Sequence, residues 1–226
     1  MAAKPKEKVS AMTELLARDK DDVAAHAARN KKVLAQLLHA LSGENRSQRV
    51  AAARALHSLA IHNPAVLKTY GAELADALER PEAQTRWEIL GALEKIVAVD
   101  ARVADKAIGP ATTALHDAES GVVRLAAFRL LAAYGATTKT RADKVWPLID
   151  EAIRVYHGDP EFPAMLIGVI RLVGGEASDE VKLAAADRML FDAEHTKGLT
   201  GQRARRIVAC APKRRRRKKK PEETAG

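Results

Sequence analysis

Apolar residues return at three- and four-residue spacing along most of this chain. From Lys31 to Leu41 they fall at Val33, Leu34, Leu37, Leu38 and Leu41, the spacing of a helix with one apolar face. Ser42-Gly43-Glu44-Asn45 interrupts the pattern, and glycine and asparagine tolerate the left-handed conformation that ends helices. A second helix follows with Val50, Ala53, Leu56, Leu59 and Ala60 on its apolar face. Asn63-Pro64 then predicts a fresh start, with asparagine as cap and proline in the first turn. The plan repeats from Leu67 to Leu78, breaks at Glu79-Arg80-Pro81, and resumes with Trp87, Leu90, Leu93, Ile96 and Val97.

The pairs keep a common register. Ala40-Leu41, Ala77-Leu78, Ala114-Leu115, Ala152-Ile153 and, more loosely, Met189-Leu190 stand 37, 37, 38 and 37 residues apart. A fixed period of this length marks an array of repeats in which each unit is one pair of helices. Arg49, Arg86 and Arg124 open the second helix of three units, with Phe162 and Arg203 near the next two places. Counted from these leads, Ala53, Leu90, Phe128 and Leu166 form one core column, and Leu56, Leu93, Leu131 and Val169 another. Trp87 is also placed in the core. First helices carry Gly71, Gly109-Pro110 and Pro147 near their middles, where proline removes a hydrogen bond and clashes with the preceding turn, so bends or splits are expected there.

On these residues the chain resembles a HEAT-repeat protein of the armadillo-like superfamily. The paired helices, the disrupted first helix, and Glu44 with Arg49, Glu82 with Arg86 and Glu119 with Arg124 carry the likeness, over roughly residues 20 to 211. It implies an all-α solenoid of about five antiparallel helix pairs, a HEAT-like superhelix whose second helices line the inner face. The chain then divides into a partly disordered N-terminal segment (1–19), the solenoid (20–211) and a disordered basic tail (212–226). In the resembled family such leading arginines tie neighbouring repeats through acidic residues, so Arg49, Arg86 and Arg124 are expected to form a structural ladder.

Composition agrees: 47% of the residues are hydrophobic and only 4% aromatic, a mix of Ala, Leu, Val and Ile that favours helices over sheets. Charged residues interrupt every apolar run well before the roughly 18 residues that a spanning helix needs, and no apolar stretch of signal-peptide length follows Lys4, Lys6 and Lys8. One cysteine, Cys210, excludes an internal disulfide framework. A cytoplasmic monomer without membrane contact is expected, nucleoid-associated or nuclear if the tail directs it there.

Charge changes the picture at one end. The net charge is +9, but Lys213, Arg214, Arg215, Arg216, Arg217, Lys218, Lys219 and Lys220 supply eight positive charges in one run. Without residues 213–226 the chain holds 30 basic and 27 acidic residues, a net of +3. Eight adjacent like charges with nothing to bury predict disorder, and their natural partner is a phosphate backbone. Arg203, Arg205 and Arg206 extend this basic region into the last helix. The tail has no aromatic residue on which a base could stack. Within the array, Arg54 and Arg129 occupy matching places five residues after the leading arginines and form a short candidate row in the groove, interrupted by Gly91.

Catalytic chemistry has one candidate. Trp146 and Asp150 lie one helical turn apart, with Arg171 and Arg188 in later helices, and some HEAT-like proteins are DNA glycosylases that remove alkylated bases. A carboxylate beside an aromatic could stabilise a cationic sugar transition state. Against it, Trp146 precedes Pro147 as Tyr70 precedes Gly71, which is a packing position, and Asp150 falls on an outer helix. No zinc spacing occurs among the seven histidines, and no phosphate loop surrounds Gly174-Gly175, so neither a metal nor a cofactor is expected. The preferred function is a non-enzymatic scaffold whose groove binds a macromolecular partner while the tail binds nucleic acid. A protein-protein adaptor with the tail as an address, or a glycosylase, are the alternatives.

Overall fold

A computed structural model describes residues 11–212. Residues 1–10 and 213–226 lie outside the described residues, and with them the basic run Lys213–Lys220 and the disorder expected at both ends. Among the described residues there are twelve α-helices and no strand: α1 (Ala11–Leu16), α2 (Lys20–Arg29), α3 (Lys31–Ser42), α4 (Arg46–His62), α5 (Gly71–Asp76), α6 (Ala83–Ile96), α7 (Ile108–Leu115), α8 (Gly121–Gly135), α9 (Lys139–Val155), α10 (Phe162–Gly174), α11 (Asp179–His195) and α12 (Gly198–Ala209). None is long and apolar enough to cross a membrane.

The helices form two layers. One contains α2, α4, α6, α8, α10 and α12, each packed on the next; the other contains α3, α5, α7, α9 and α11, each paired with the second helix of its own unit. Five helix pairs thus follow a leading α1–α2 segment. The two predicted columns are the centre of the core: Ala53, Leu90, Phe128, Leu166, Leu56, Leu93, Leu131 and Val169 have no exposed surface. Burying a side chain of this kind contributes roughly 1.5–3 kcal/mol. One continuous core results, because α4, α6, α8 and α10 are each flanked by the preceding and the following helix of their layer.

Helix starts are set locally by side chains that accept from orphan backbone N–H groups. Asn30 caps α3, Asn45 caps α4, Ser120 caps α8, Thr138 caps α9 and Ser178 caps α11. Asn63 departs from expectation: it precedes a 3-10 turn, Pro64–Leu67, and makes no side-chain cap. The break after α3 also works differently, since Gly43 has a φ of −67° and is not left-handed. Arg49 holds that loop instead, its Nη1 donating to the carbonyls of Gly43 at 2.8 Å and Glu44 at 2.7 Å.

The expected bends divide into two kinds. The first helix of the second unit is broken into Pro64–Leu67, α5 and the 3-10 turn Ala77–Glu79, and that of the third into the 3-10 segment Ala101–Ala107 and α7. By contrast, α9 runs unbroken through Pro147. At Gly71 the reason for glycine is a close approach, because a Cβ there would collide with the carbonyl oxygen and side chain of Val103 in the next repeat. The break brings the backbones of two outer elements together.

Across the repeats the leading arginines are used in sequence. Arg49 bonds to Glu82, Arg86 donates to Asp117 at 2.5 Å, and Arg124 donates to Asp159 at 3.3 Å. Each acceptor sits in the loop that enters the next second helix. Arg124 also donates to the Asp117 carbonyl at 2.9 Å and lies over the Tyr156 ring. The Arg49 guanidinium holds the Glu82 carboxyl below its ordinary value. Burial opposes ionisation of Asp117, yet the Arg86 hydrogen bond and the N–H groups of Glu119 and Ser120 outweigh it, and its value is lowered too.

A depressed carboxyl stabilises the fold fully above its unfolded pKa, about 4.3 for a glutamate, and loses that contribution as pH falls through the lower folded value. Arg49→Leu is therefore expected to lower Tm at pH 7 far more than Arg29→Leu, which removes an exposed arginine of α2, and the gap to wild type should narrow as pH falls below about 4.3, leaving the part due to the Gly43 and Glu44 carbonyl bonds. Thermal melts across that pH range check it; a gap that does not change with pH contradicts the assignment. Gly71→Ala should cost about 1–3 kcal/mol through overpacking against Val103, read from chemical denaturation.

Candidate functional site

The second-helix layer contains a groove of about 350 Å³ between α4, α6 and α8. His57 and Ile61 come from α4, Trp87, Gly91, Glu94 and Lys95 from α6, and Val122, Leu125, Ala126 and Arg129 from α8. Helical periodicity brings Trp87, Gly91, Glu94 and Lys95 onto one side of α6 at three- and four-residue steps. Trp87 is half-buried and packs its ring edge-on to His57, with the centroids 6.4 Å apart. It belongs to the groove wall and not to the closed core that the sequence pattern predicts.

Helix α6 is the electrostatic centre of this face. Its N-terminal loop contributes the buried Glu82, and the helix itself the buried Glu88 and Glu94. Glu88 meets His57 Nδ1 at 2.6 Å. Glu94 is reached by three cations: Lys95 at 3.6 Å, Arg129 of α8 at 3.3 Å and Arg171 of α10 at 3.0 Å. A buried carboxylate is tolerated only with such partners. The Arg171 contact spans 77 residues and crosses over α8, so this face curves inward enough for side chains two repeats apart to touch.

Gly91 is the close-approach point in the floor. A Cβ there would stand 2.6 Å from the His57 ring, which Glu88 holds in place. The missing side chain is what lets α4 and α6 pack with His57 between them.

Charge is sorted by layer. The five second helices, α4, α6, α8, α10 and α12, carry eleven lysines and arginines against two carboxylates, a net of +9 with histidine neutral. Their five partners, α3, α5, α7, α9 and α11, carry eight against ten, a net of −2. A body close to neutral in total therefore presents a cationic inner layer. Both carboxylates of these five second helices, Glu88 and Glu94, are buried.

The sequence candidates are distributed across this frame. Arg129 lines the groove, whereas exposed Arg54 lines a separate hollow beside Arg18, Asp19 and Lys20, so the two do not form one row. Arg203 donates to the Pro163 carbonyl and Arg205 to that of Ala193 at 3.0 Å, while Arg206 is exposed. Asp150 is held by Arg188 through contacts of 2.6 and 3.0 Å in a hollow between α9 and α11 that Trp146 also lines. Arg171, grouped with them in the catalytic candidate, points instead to Glu94 on the other layer. Among the described residues no cluster of His, Cys, Asp and Glu has the grouping of a metal site.

Trp87, Ile61, Val122, Lys95 and Glu94 were not singled out for the groove by sequence periodicity. The available signal was the sorting of charge between alternate helices, together with apolar residues lying off the core stripe: Ile61 is 53% exposed and Val122 51%.

No family model and no curated protein matches the chain in sequence. Solved structures match it in shape. A designed armadillo repeat protein in complex with the peptide (KR)4 superposes with a TM-score of 0.69 at 14% identity, over 88% of this chain and 89% of that one. An engineered protein gives 0.67 at 13% identity, over 89% and 96%. Computationally designed armadillo repeat proteins for modular peptide recognition give 0.66 at 16% identity, over 89% and 98%. At these identities the likeness is one of fold: the chain has the architecture of armadillo/HEAT-like helical-repeat proteins.

Proposed function

We propose that the protein is a non-enzymatic binding scaffold. Its second-helix groove holds a segment of a protein partner, and the basic run Lys213–Lys220 binds nucleic acid through the phosphate backbone. The observation that carries the first part is the groove itself, where the half-buried Trp87 and the exposed Ile61 and Val122 stand together on the inward-curving face. Exposed apolar groups gathered in a concavity mark interaction sites. Peptide recognition by designed armadillo proteins of the same fold is consistent with it.

Nucleic-acid binding by the tail rests on chemistry. Each phosphate that a lysine or arginine neutralises releases condensed counterions, so affinity falls steeply with salt, with a slope of about −0.9 per contact on duplex DNA. Tethering couples the two contacts: a short flexible link holds the second at about millimolar effective concentration. A scaffold of this kind brings a protein and a nucleic acid together without altering either. The glycosylase alternative gains no support from the geometry, because the Asp150 carboxylate is taken up by Arg188 and lies on the layer opposite the groove.

Deleting residues 213–226 is expected to abolish most salt-sensitive binding to duplex DNA and structured RNA while leaving helical content unchanged, measured by fluorescence anisotropy from low to physiological salt and by circular dichroism. Unchanged affinity and salt slope after the deletion would remove the tail from this function.

A further inference from the structure

Building on the scaffold reading, we propose that the groove between α4, α6 and α8 takes an acidic peptide segment that carries an apolar side chain. Trp87, Ile61 and Val122 receive the apolar group, and Lys95, Arg129 and Arg171 receive its carboxylates. Two features of the site define this occupant, one electrostatic and one apolar.

The electrostatic feature is a surplus of cations over one buried carboxylate. Lys95, Arg129 and Arg171 all approach Glu94, yet their side chains remain 34%, 43% and 38% exposed. Arg129 and Arg171 each donate to Glu94 through a single nitrogen, and a guanidinium has five N–H donors in a fixed fork. Each arginine therefore keeps donors beyond the one given to Glu94, and an incoming carboxylate meets guanidiniums already drawn together at one place. Glu94 thus orients the cations without neutralising them.

The five second helices α4, α6, α8, α10 and α12 hold no exposed carboxylate, since Glu88 and Glu94 are buried. A lysine- or arginine-rich segment would find no countercharge on α4, α6, α8, α10 or α12. A designed armadillo repeat protein of the same fold is in complex with the basic peptide (KR)4, whereas the charge of this groove calls for a segment of the opposite sign. It also excludes the chain's own basic run, Lys213–Lys220, as the occupant, because like charges would meet.

The apolar feature separates a peptide from a nucleic acid. Ile61 and Val122, each about half exposed, flank Trp87 in the groove. Aliphatic side chains gain by covering an apolar group and gain nothing from phosphate or sugar. Base stacking on a single strand uses several aromatic platforms, and Trp87 is the groove's one tryptophan, tyrosine or phenylalanine. A volume of about 350 Å³ suits one or two inserted side chains.

The test uses the full chain carrying Trp146→Phe, which leaves Trp87 as the sole indole. Its fluorescence is followed against a tryptophan-free peptide of alternating Asp and Glu with a Leu-Phe pair at its centre. A saturable change is expected, weakened about three- to tenfold by Arg129→Gln and by Lys95→Gln, and weakened again by added salt. The matched peptide of alternating Lys and Arg should leave Trp87 unmoved. The proposal is overturned if that basic peptide or an uncharged Leu-Phe peptide binds as tightly, in which case the groove scaffold stands and its acidic preference fails. It is also overturned if affinity is unaffected by salt and by both glutamine variants, or if a single-stranded oligonucleotide displaces the peptide from Trp87. No response to any of the peptides removes both this proposal and the groove reading.

Discussion

Everything on the inner face depends on how one repeat is fixed against the next, and the arginine ladder does that. A stack of helix pairs held only by apolar contact could slide, since a leucine finds a similar partner one turn away. A guanidinium answered by one carboxylate across the junction has far fewer equivalent positions. Arg49 to Glu82, Arg86 to Asp117 and Arg124 to Asp159 repeat that contact at three junctions. Because Arg49 and Arg124 also bind carbonyls of their own loops, each junction couples the end of one pair to the start of another.

With register fixed, alternate helices fall into separate layers, and the charge of the chain separates with them. The second helices carry a large cationic excess, while most carboxylates lie on the first helices and in the loops, and at each junction arginine and loop carboxylate lie close enough to pair. The pairing consumes Arg49, Arg86 and Arg124 and leaves Lys95, Arg129 and Arg171 around Glu94. Curvature then concentrates what remains, because two helices separated by a third bring their long side chains together over one carboxylate. The result is a cationic, partly apolar hollow on a body whose overall charge is small.

Much of the architecture was legible before any coordinates. The core columns depend on a spacing that a helix imposes on every sequence, and Phe128 or Leu93 could be assigned from position alone. Trp87 shows the limit: it follows the same count, but a large ring at the edge of the apolar stripe is covered only on one side. Asn63 and Gly43 show another. Their residue types suggest a cap and a left-handed turn, while the local contacts use a 3-10 turn and the Arg49 side chain to satisfy the backbone. Pro147 is accommodated within a continuous helix, although Gly71 and Gly109-Pro110 accompany real breaks.

The sequence by itself determined the helical period, the number of pairs, the buried columns and the presence of a leading arginine in each early repeat, because these recur at fixed spacing along the chain. The tertiary structure alone decided which carboxylate each arginine meets, that Arg54 and Arg129 belong to different hollows, and that Arg171 crosses a repeat to reach Glu94. The reason is geometric. Contacts between residues 31 to 77 positions apart depend on the angle at which successive pairs stack, and no local periodicity encodes that angle.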